Sequence, residues 1–447
     1  MRLQDAFDVR KGDMIALVGA GGKTSSLIHL MRELKAADWR VLGTTTTRIG
    51  ADQLRFFSQP FPLADDLASR WGGSSAAFVY DHVDDSANKV IGLSVEALRA
   101  ACRQILPDAV LIEADGSRKL PFKLPRSHEP VIPPETTLVV PIVSYEALGK
   151  PLIDEAVFNA SGMIERFGYP AGDRVQSRWL AEVLRDPLGG LKDAPDSARV
   201  MAFVNGVPPH GYARGRARFI AREILKNQRI QAVIIGNTAY EDPAFEVVRR
   251  TGAIVLTAGL SSRMGQPKPL LEWLNGETIL DHILRELKRA CVDTIVVVTG
   301  NHAEEVERIA APHGVWTAHN ADYAAGEMLS SVKVGLHALP TSISGALIVL
   351  GDQPTLKAQI TRRVLKADAS TRGTIAAPSY QMRRGHPILI SQRYWEELLA
   401  LPDIGAPRDV INRHADEIVY VNVEDDSVLR DVDTPQQYAE ERRRAGL

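Results

Sequence analysis

Long apolar runs are missing from this sequence, and none is long enough to cross a bilayer, so no membrane-spanning helix is expected. Cysteine is nearly missing as well. The two present, Cys102 and Cys291, lie far apart, each in a stretch expected to be helical. Neither a disulfide framework nor a cysteine metal site is expected, and a reducing cytoplasm fits. The start, MRLQDAFDVRKGD, lacks the apolar core of a secretory leader. Charge of one sign is not in excess either. A formal net charge of -2 offers no basic surface for nucleic acid and no electrostatic hold on a membrane. Internal repeats and low-complexity tracts are also wanting. What remains is the balance of a globular protein, 45% hydrophobic, over 447 residues. That length exceeds what one ordinary core serves, so two domains are expected, with a boundary near residue 248.

The first half opens with an apolar run, Met14 to Val18, followed by Gly19-Ala20-Gly21-Gly22-Lys23-Thr24. Apolar residues at helical spacing follow, at Leu27, Leu30, Met31 and Leu34. Strand, glycine turn, Lys-Thr and helix is the order of a P-loop, in which backbone N–H groups and Lys23 hold phosphates and Thr24 reaches a magnesium ion. The loop is shortened, because the full pattern wants glycine where Leu17 stands. A tight strand-to-helix turn with a solvated lysine is the other reading. The strand 109–112 runs into Glu113, Ala114 and Asp115, acids that would position magnesium or water near the loop, sharing a face if the strand continues that far. Thr44 to Thr47 either line a phosphate crevice or simply favour a strand. Arg118, Lys119 and Lys123 add cations nearby, and Asn205 ends a later strand, as a base contact or a turn residue. Further strands at 138–142, 200–204 and 232–235, with helices between, imply a mostly parallel sheet. The stretch from Tyr240 to Arg250 reads as a helix leading into the second half.

In the second half a buried strand, Ala253 to Leu256, leads into TAGLSSRMGQPKPLL. Its glycines Gly259 and Gly265 let backbone N–H groups approach a phosphate tail, while Arg263 and Lys268 neutralise it, with Ser261 and Ser262 between. The strand 345–350 ends in Gly351-Asp352-Gln353-Pro354, and an acid there is placed to ligate magnesium, or else to cap the next helix. Asp431 and Asp433 alternate around Val432 before a helix that begins at Thr434-Pro435, and Asp433 could cap that helix. Two carboxylates from distant strands, Asp352 and Asp433, could hold one Mg²⁺ against phosphate oxygens. Ser330 or Ser331, in Gly326-Glu327-Met328-Leu329-Ser330-Ser331, could touch a ribose or base, or cap a helix. Gly385-His386-Pro387 could line a pocket for a second substrate, although a lone histidine is more often structural.

VGAGGKTS, TTTTRI, EADGSRKLPFKLP, HEPVIP and ALGKPL together resemble the YqeC family, over most of residues 1–240. That family is associated with selenium-dependent hydroxylase accessory or selenium cofactor biosynthesis roles. The resemblance implies a P-loop-like nucleotide fold, with ATP or GTP as candidate ligands, and no defined reaction. TAGLSSRMGQPKPLL, GETILDH, GEMLSSV, GDQPTL, RRGHPILIS and DVDTPQQY run in order over residues 253–440. They resemble the molybdenum cofactor cytidylyltransferases within the MobA-like nucleotidyltransferases. The opening loop departs from the usual Ala-Ala-Gly or Ala-Gly-Gly in reading Thr257-Ala258-Gly259. Its alanine, like Gly385-His386-Pro387, is closer to the cytidine-using branch than to the guanosine-using one.

The resemblance implies two three-layer α/β domains: a P-loop-like, mostly parallel sheet over 1–248 and a Rossmann-like nucleotidyltransferase sheet over 249–447. It implies transfer of CMP from CTP to the molybdopterin phosphate. Arg263 and Lys268 would hold the triphosphate, Asp352 and Asp433 the Mg²⁺, and Ala258 and Gly259 the base, with Gly385 and His386 on the cofactor side. A molybdenum hydroxylase would receive the product. Guanylyl transfer, transfer to a sugar or alcohol phosphate, and a non-catalytic cofactor carrier are the alternatives.

Overall fold

The computed structural model describes every residue except 65, 73–74, 325–326 and 372–373. Gly326, one of the residues in the GEMLSSV motif, therefore lies outside the described residues. The chain divides into two compact units, Met1–Val248 and Arg249–Leu447. Among the described residues no helix is long and apolar enough to cross a membrane.

The first unit contains, in chain order, β1 (Asp13–Gly19), β2 (Val41–Thr45), β3 (Arg48–Gly50), β4 (Pro60–Pro62), β5 (Ala76–Tyr80), β6 (His82–Asp84), β7 (Lys89–Ile91), β8 (Ala109–Glu113), β9 (Leu138–Ser144), β10 (Arg199–Asn205), β11 (Ala232–Gly236) and β12 (Ala244–Arg249). Nine of them form one sheet in the order β12-β11-β10-β9-β1-β8-β2-β5-β4, while β3-β7-β6 form a small second sheet. From β11 across to β4 the pairings are parallel. Side chains alternate between faces along each strand. On β1, Ile15 and Leu17 join one core with Leu27, Leu30 and Leu34 of the helix Lys23–Ala36. Ala16 and Val18 join the opposite core with Leu98, Ala101 and Leu180. Both faces are therefore covered by helices, as a parallel sheet requires.

The expected helix over 240–250 is not there: residues 244–249 form β12, at the sheet edge. Pro243 denies a helix one of its N–H donors, and Phe245, Val247 and Val248 favour extended backbone. Glu246 is fully buried on β12 and accepts hydrogen bonds from Arg218, one of them 2.7 Å long, and from Arg214. Cys102 lies in the helix Val95–Ile105, but Cys291 sits just beyond the helix Ile279–Arg289, and both thiols are free.

The second unit contains β13 (Thr251–Leu256), β14 (Thr294–Thr299), β15 (Trp316–His319), β16 (Gly345–Leu350), β17 (Ile375–Tyr380), β18 (Arg383–Arg384), β19 (Ile388–Ser391) and β20 (Ile418–Asn422). The sheet order is β15-β14-β13-β16-β19-β17-β18, with β20 also paired to β17. β13 lies parallel between β14 and β16, whereas β19 runs antiparallel to both β16 and β17. The same alternation recurs: Ala253 and Val255 face one core, Ile254 the other. The carboxyl ends of β13, β14 and β16 thus open on one edge, where ligands of open α/β sheets bind.

Candidate functional site

In the second unit, the loops that leave β13 and β16 meet around a cavity of about 250 Å³. Thr257, Ala258, Gly259, Ser261 and Lys268 line it from the first loop, Gly351 and Asp352 from the second, and Tyr323, Glu327, Met328 and Ser331 from elsewhere. The close approach depends on small residues. A Cβ on Gly351 would stand 2.5 Å from the Leu256 carbonyl oxygen, and one on Gly300 would stand 2.6 Å from that of Ala258.

Beside the cavity, Lys268 Nζ donates to Asp352 Oδ2 at 3.0 Å and to Asp433 Oδ1. Arg263 is mostly exposed and reaches Asp433 at 3.7 Å. The Val432 N–H donates to the Asp352 carbonyl at 3.0 Å, which ties the 431–433 segment to the end of β16. Burial pushes the Asp352 carboxyl above the usual aspartate range, against the pull of Lys268, and Asp431 and Asp433 add to the rise. For Lys268 burial works downward, but the hydrogen bonds and charges of Asp433 and Asp352 outweigh it and hold the ammonium above its ordinary value.

The two acids are therefore not helix caps. The helix after Pro354 begins only at Ala358, with Lys357 at its N-cap. The last helix, Pro435–Arg444, is capped by Thr434, whose hydroxyl accepts from the Gln437 N–H at 3.3 Å. That corrects the expectation for Asp433 and leaves its carboxylate to Lys268.

Other expected residues stand apart. Ser262, Arg263 and Gly265 are exposed and do not border the cavity. Ser330 does not line it either: its hydroxyl donates to the Glu327 carbonyl at 2.9 Å and accepts from Asn320, which also donates to Ser331 at 3.0 Å. Ser331 takes the place expected of Ser330 because it is the one turned inward on the helix Met328–Ala338. Gly385 and His386 lie away from the cavity, where the His386 N–H donates to the Val428 carbonyl at 2.9 Å. Burial, aided by Arg384, pushes the His386 imidazole down to about 4, so it is neutral at physiological pH. Tyr323 and Gly300 had no signal in the sequence beyond their place after β15 and β14, whereas Glu327 belongs to the GEMLSSV motif but carried no role of its own.

In the first unit, a larger cleft of about 480 Å³ is bordered by Gly21, Gly22, Lys23, Thr24 and Glu113, together with Arg48, Lys89, Arg118 and Lys119. Gly21 and Gly22 hold φ angles of 81° and 135°, and a Cβ on Gly22 would collide with Asn205. Asn205 Nδ2 instead donates to the Gly21 carbonyl at 2.8 Å, so this strand-end asparagine braces the loop. Thr24 Oγ1 donates to Glu113 Oε2 at 2.7 Å, and burial pushes the Glu113 carboxyl upward, opposed by Lys23.

β8 stops at Glu113, so Asp115 lies past the strand, outside the cleft lining. It accepts from the Gly19 N–H at 3.1 Å and faces Lys23 Nζ at 3.2 Å. Gly19 likewise does not border the cleft. Thr44, Thr45 and Thr46 spend their hydroxyls on the carbonyls of Val79, Glu113 and Val131, at 2.6, 2.8 and 2.7 Å, which favours the strand reading of that run.

Residues 15–161 match the YqeC protein family, and residues 253–418 match the MobA-like NTP transferase domain. The YqeC protein of Escherichia coli (strain K12) is 30% identical over 239 residues, 53% of this chain and 91% of that protein. The molybdenum cofactor cytidylyltransferase of the same organism is 34% identical over 188 residues, 41% of this chain and 92% of that enzyme. Among solved structures, the homologue of Mycobacterium tuberculosis rv0371c from mycobacterium sp. strain JC1 is 27% identical, covering 44% of this chain and 97% of its own, with a TM-score of 0.39. The chain therefore joins two families, belonging through its first unit to the YqeC proteins and through its second to the MobA-like NTP transferases, and it is a nucleotidyltransferase.

Proposed function

We propose that residues 249–447 transfer a cytidylyl group from CTP to the phosphate of the molybdopterin cofactor and release pyrophosphate. The observation that carries this reading is the convergence of Asp352, Asp433 and Lys268 beside the cavity. An oxygen of the acceptor phosphate attacks the α-phosphorus, and the bond from that phosphorus to the β-phosphate bridge breaks. The acceptor is already ionised, so the residues act by placement and charge neutralisation rather than by proton abstraction.

Lys268 and Arg263 hold the triphosphate. Ala258 and Gly259, at the cavity wall, offer backbone groups to the base. Asp352 and Asp433 offer the oxygen donors that magnesium prefers, and both already reach a single cationic atom. Two carboxylates fill only part of a magnesium shell, so substrate phosphate and water would complete it. When bound, Mg²⁺ supplies Lewis-acid stabilisation of the charge on the phosphate oxygens.

The assignment of cytidine is supported by the name and 34% identity of the Escherichia coli relative, and by Ala258 in the opening loop. Residues 1–248 act as an accessory unit for molybdenum hydroxylases, selenium-dependent ones included, and the second unit's product passes to such an enzyme. In the first unit, ATP or GTP binds with its phosphates at Gly21, Gly22 and Lys23, a reading supported by the cation-lined cleft.

The deciding experiment incubates the full chain with Mg²⁺, molybdopterin cofactor and either CTP or GTP and follows pyrophosphate. The expected result is release with CTP, at least about tenfold above GTP, and none without the acceptor. Faster release with GTP, or with a sugar phosphate as acceptor, overturns the assignment. Asp352→Ala should abolish release, while a fully active variant removes Asp352 from the metal site.

A further inference from the structure

In the first unit one buried acid is shared by two buried cations. Asp115 faces Lys23 Nζ through Oδ1 at 3.2 Å and Lys123 Nζ through Oδ2 at 3.0 Å. The three side chains are at most 2% exposed. The two lysines differ in what else they touch. Lys123 is anchored: it pairs with Glu129 Oε2 at 2.8 Å and donates to the Gly116 carbonyl. Lys23 has one further bond, to the Gly19 carbonyl at 2.5 Å, and it alone of the pair borders the cation-lined cleft. In this arrangement the loop lysine is turned back onto its own strand end.

We propose that a nucleoside triphosphate entering the cleft draws Lys23 off Asp115 onto its phosphates, and that Lys123 stays behind as the counter-ion of Asp115. Lys123 is then a positioning residue for ligand binding, although it does not border the cleft. This rests on the reading of the cleft as a phosphate site. The physical reason is the cost of a buried carboxylate left without a cation. With Asp115 served by Lys123, Lys23 can leave; with Lys123 removed, Asp115 holds Lys23 in place. Glu129 does not become an orphan in that case, because its Oε1 also accepts from the Arg126 N–H at 3.1 Å.

The test measures binding of Mg-ATP, Mg-GTP and inorganic triphosphate to the full chain by calorimetry. The part lost in Lys23→Ala is assigned to this cleft, which separates it from binding at the second unit. Wild type should bind at least one of the two nucleotides in a Lys23-dependent way. Lys123→Met should weaken that binding by about tenfold or more, and adding Asp115→Asn should restore it to within about threefold of wild type, as coupled neighbours do. A merely structural role for Lys123 predicts no rescue.

Where Lys123→Met does not melt cooperatively, Asp115→Asn alone is decisive. It should tighten binding several-fold, and unchanged or weaker binding overturns the exchange. Equal binding by wild type and Lys123→Met, or a double variant as weak as Lys123→Met, also overturns it. Absence of any Lys23-dependent binding in wild type overturns the phosphate reading of the cleft, and the exchange with it. Binding of inorganic triphosphate as tight as that of either nucleotide overturns the nucleoside part.

Discussion

Lys268 is the residue that pairs with both Asp352 and Asp433. Lys268→Ala leaves Asp352 and Asp433 facing each other with no ammonium between them. Pyrophosphate release should fall by about 10²–10³-fold, with an unchanged far-ultraviolet circular dichroism spectrum. A loss of less than twofold would remove the lysine from the phosphate site. The raised carboxyl of Asp352 sets a second expectation. Protonation costs the site an oxygen donor, so transfer should decline on acidification at a higher pH than an exposed aspartate would dictate.

His386 titrates in the opposite sense. Its folded value is about 4 against an ordinary 6.5, so between those values the unfolded chain binds more protons than the folded one. Stability should therefore drop as pH falls through that window, by roughly 1–3 kcal/mol. His386→Gln should remove that part of the slope in urea titrations at pH 7 and pH 5; an unchanged slope would mean that the ring is not the group responsible. The convergence of Asp352 and Asp433 was legible in the sequence because each sits beside a strand end or turn that announces itself. Ser331 over Ser330 was not, because the two are neighbours in the first turn of the same helix and only the tertiary packing chooses between them.

Among elements, strands that bury both faces were the easiest to read. Gly345–Leu350 and Thr294–Thr299 stand where their unbroken apolar runs place them. Residues 240–250 misled because Glu246 breaks the apolar pattern in a way that suits a helix surface; the chain instead buries that acid against Arg214 and Arg218. Two junctions carry predictions. Gly351→Ala puts a methyl against the Leu256 carbonyl, backbone that cannot yield. It should cost about 1–3 kcal/mol in chemical denaturation and lower turnover by moving Asp352; a variant with wild-type stability and rate would show that the strand ends have room. Thr434→Ala removes the cap of the last helix and should cost about 1 kcal/mol. No shift in the urea midpoint would mean that Gln437 alone sustains that helix start.

On the scale of the molecule, each unit carries a hydrophobic core on either side of its sheet, and the second unit adds a small cluster of Ile360, Val423 and Val428. Residues 249–447 expressed alone should fold cooperatively and release pyrophosphate at a rate within about threefold of the full chain, as expected of a domain with its own core. An insoluble or inactive fragment would show that the transferase depends on the first unit. The two-unit organisation was readable from length and motif order, whereas the role of the first unit was not, since its loop, acids and cations fit several phosphate chemistries. The link between Lys268 and Asp433 spans 165 positions of the chain. A ribosome must therefore deliver nearly the whole second unit before the acid pair exists, and the central strands can pair well before that. During synthesis the sheet precedes the pair: a nascent chain without its final segment would carry the cavity walls, Lys268 and Asp352, and lack the second acid.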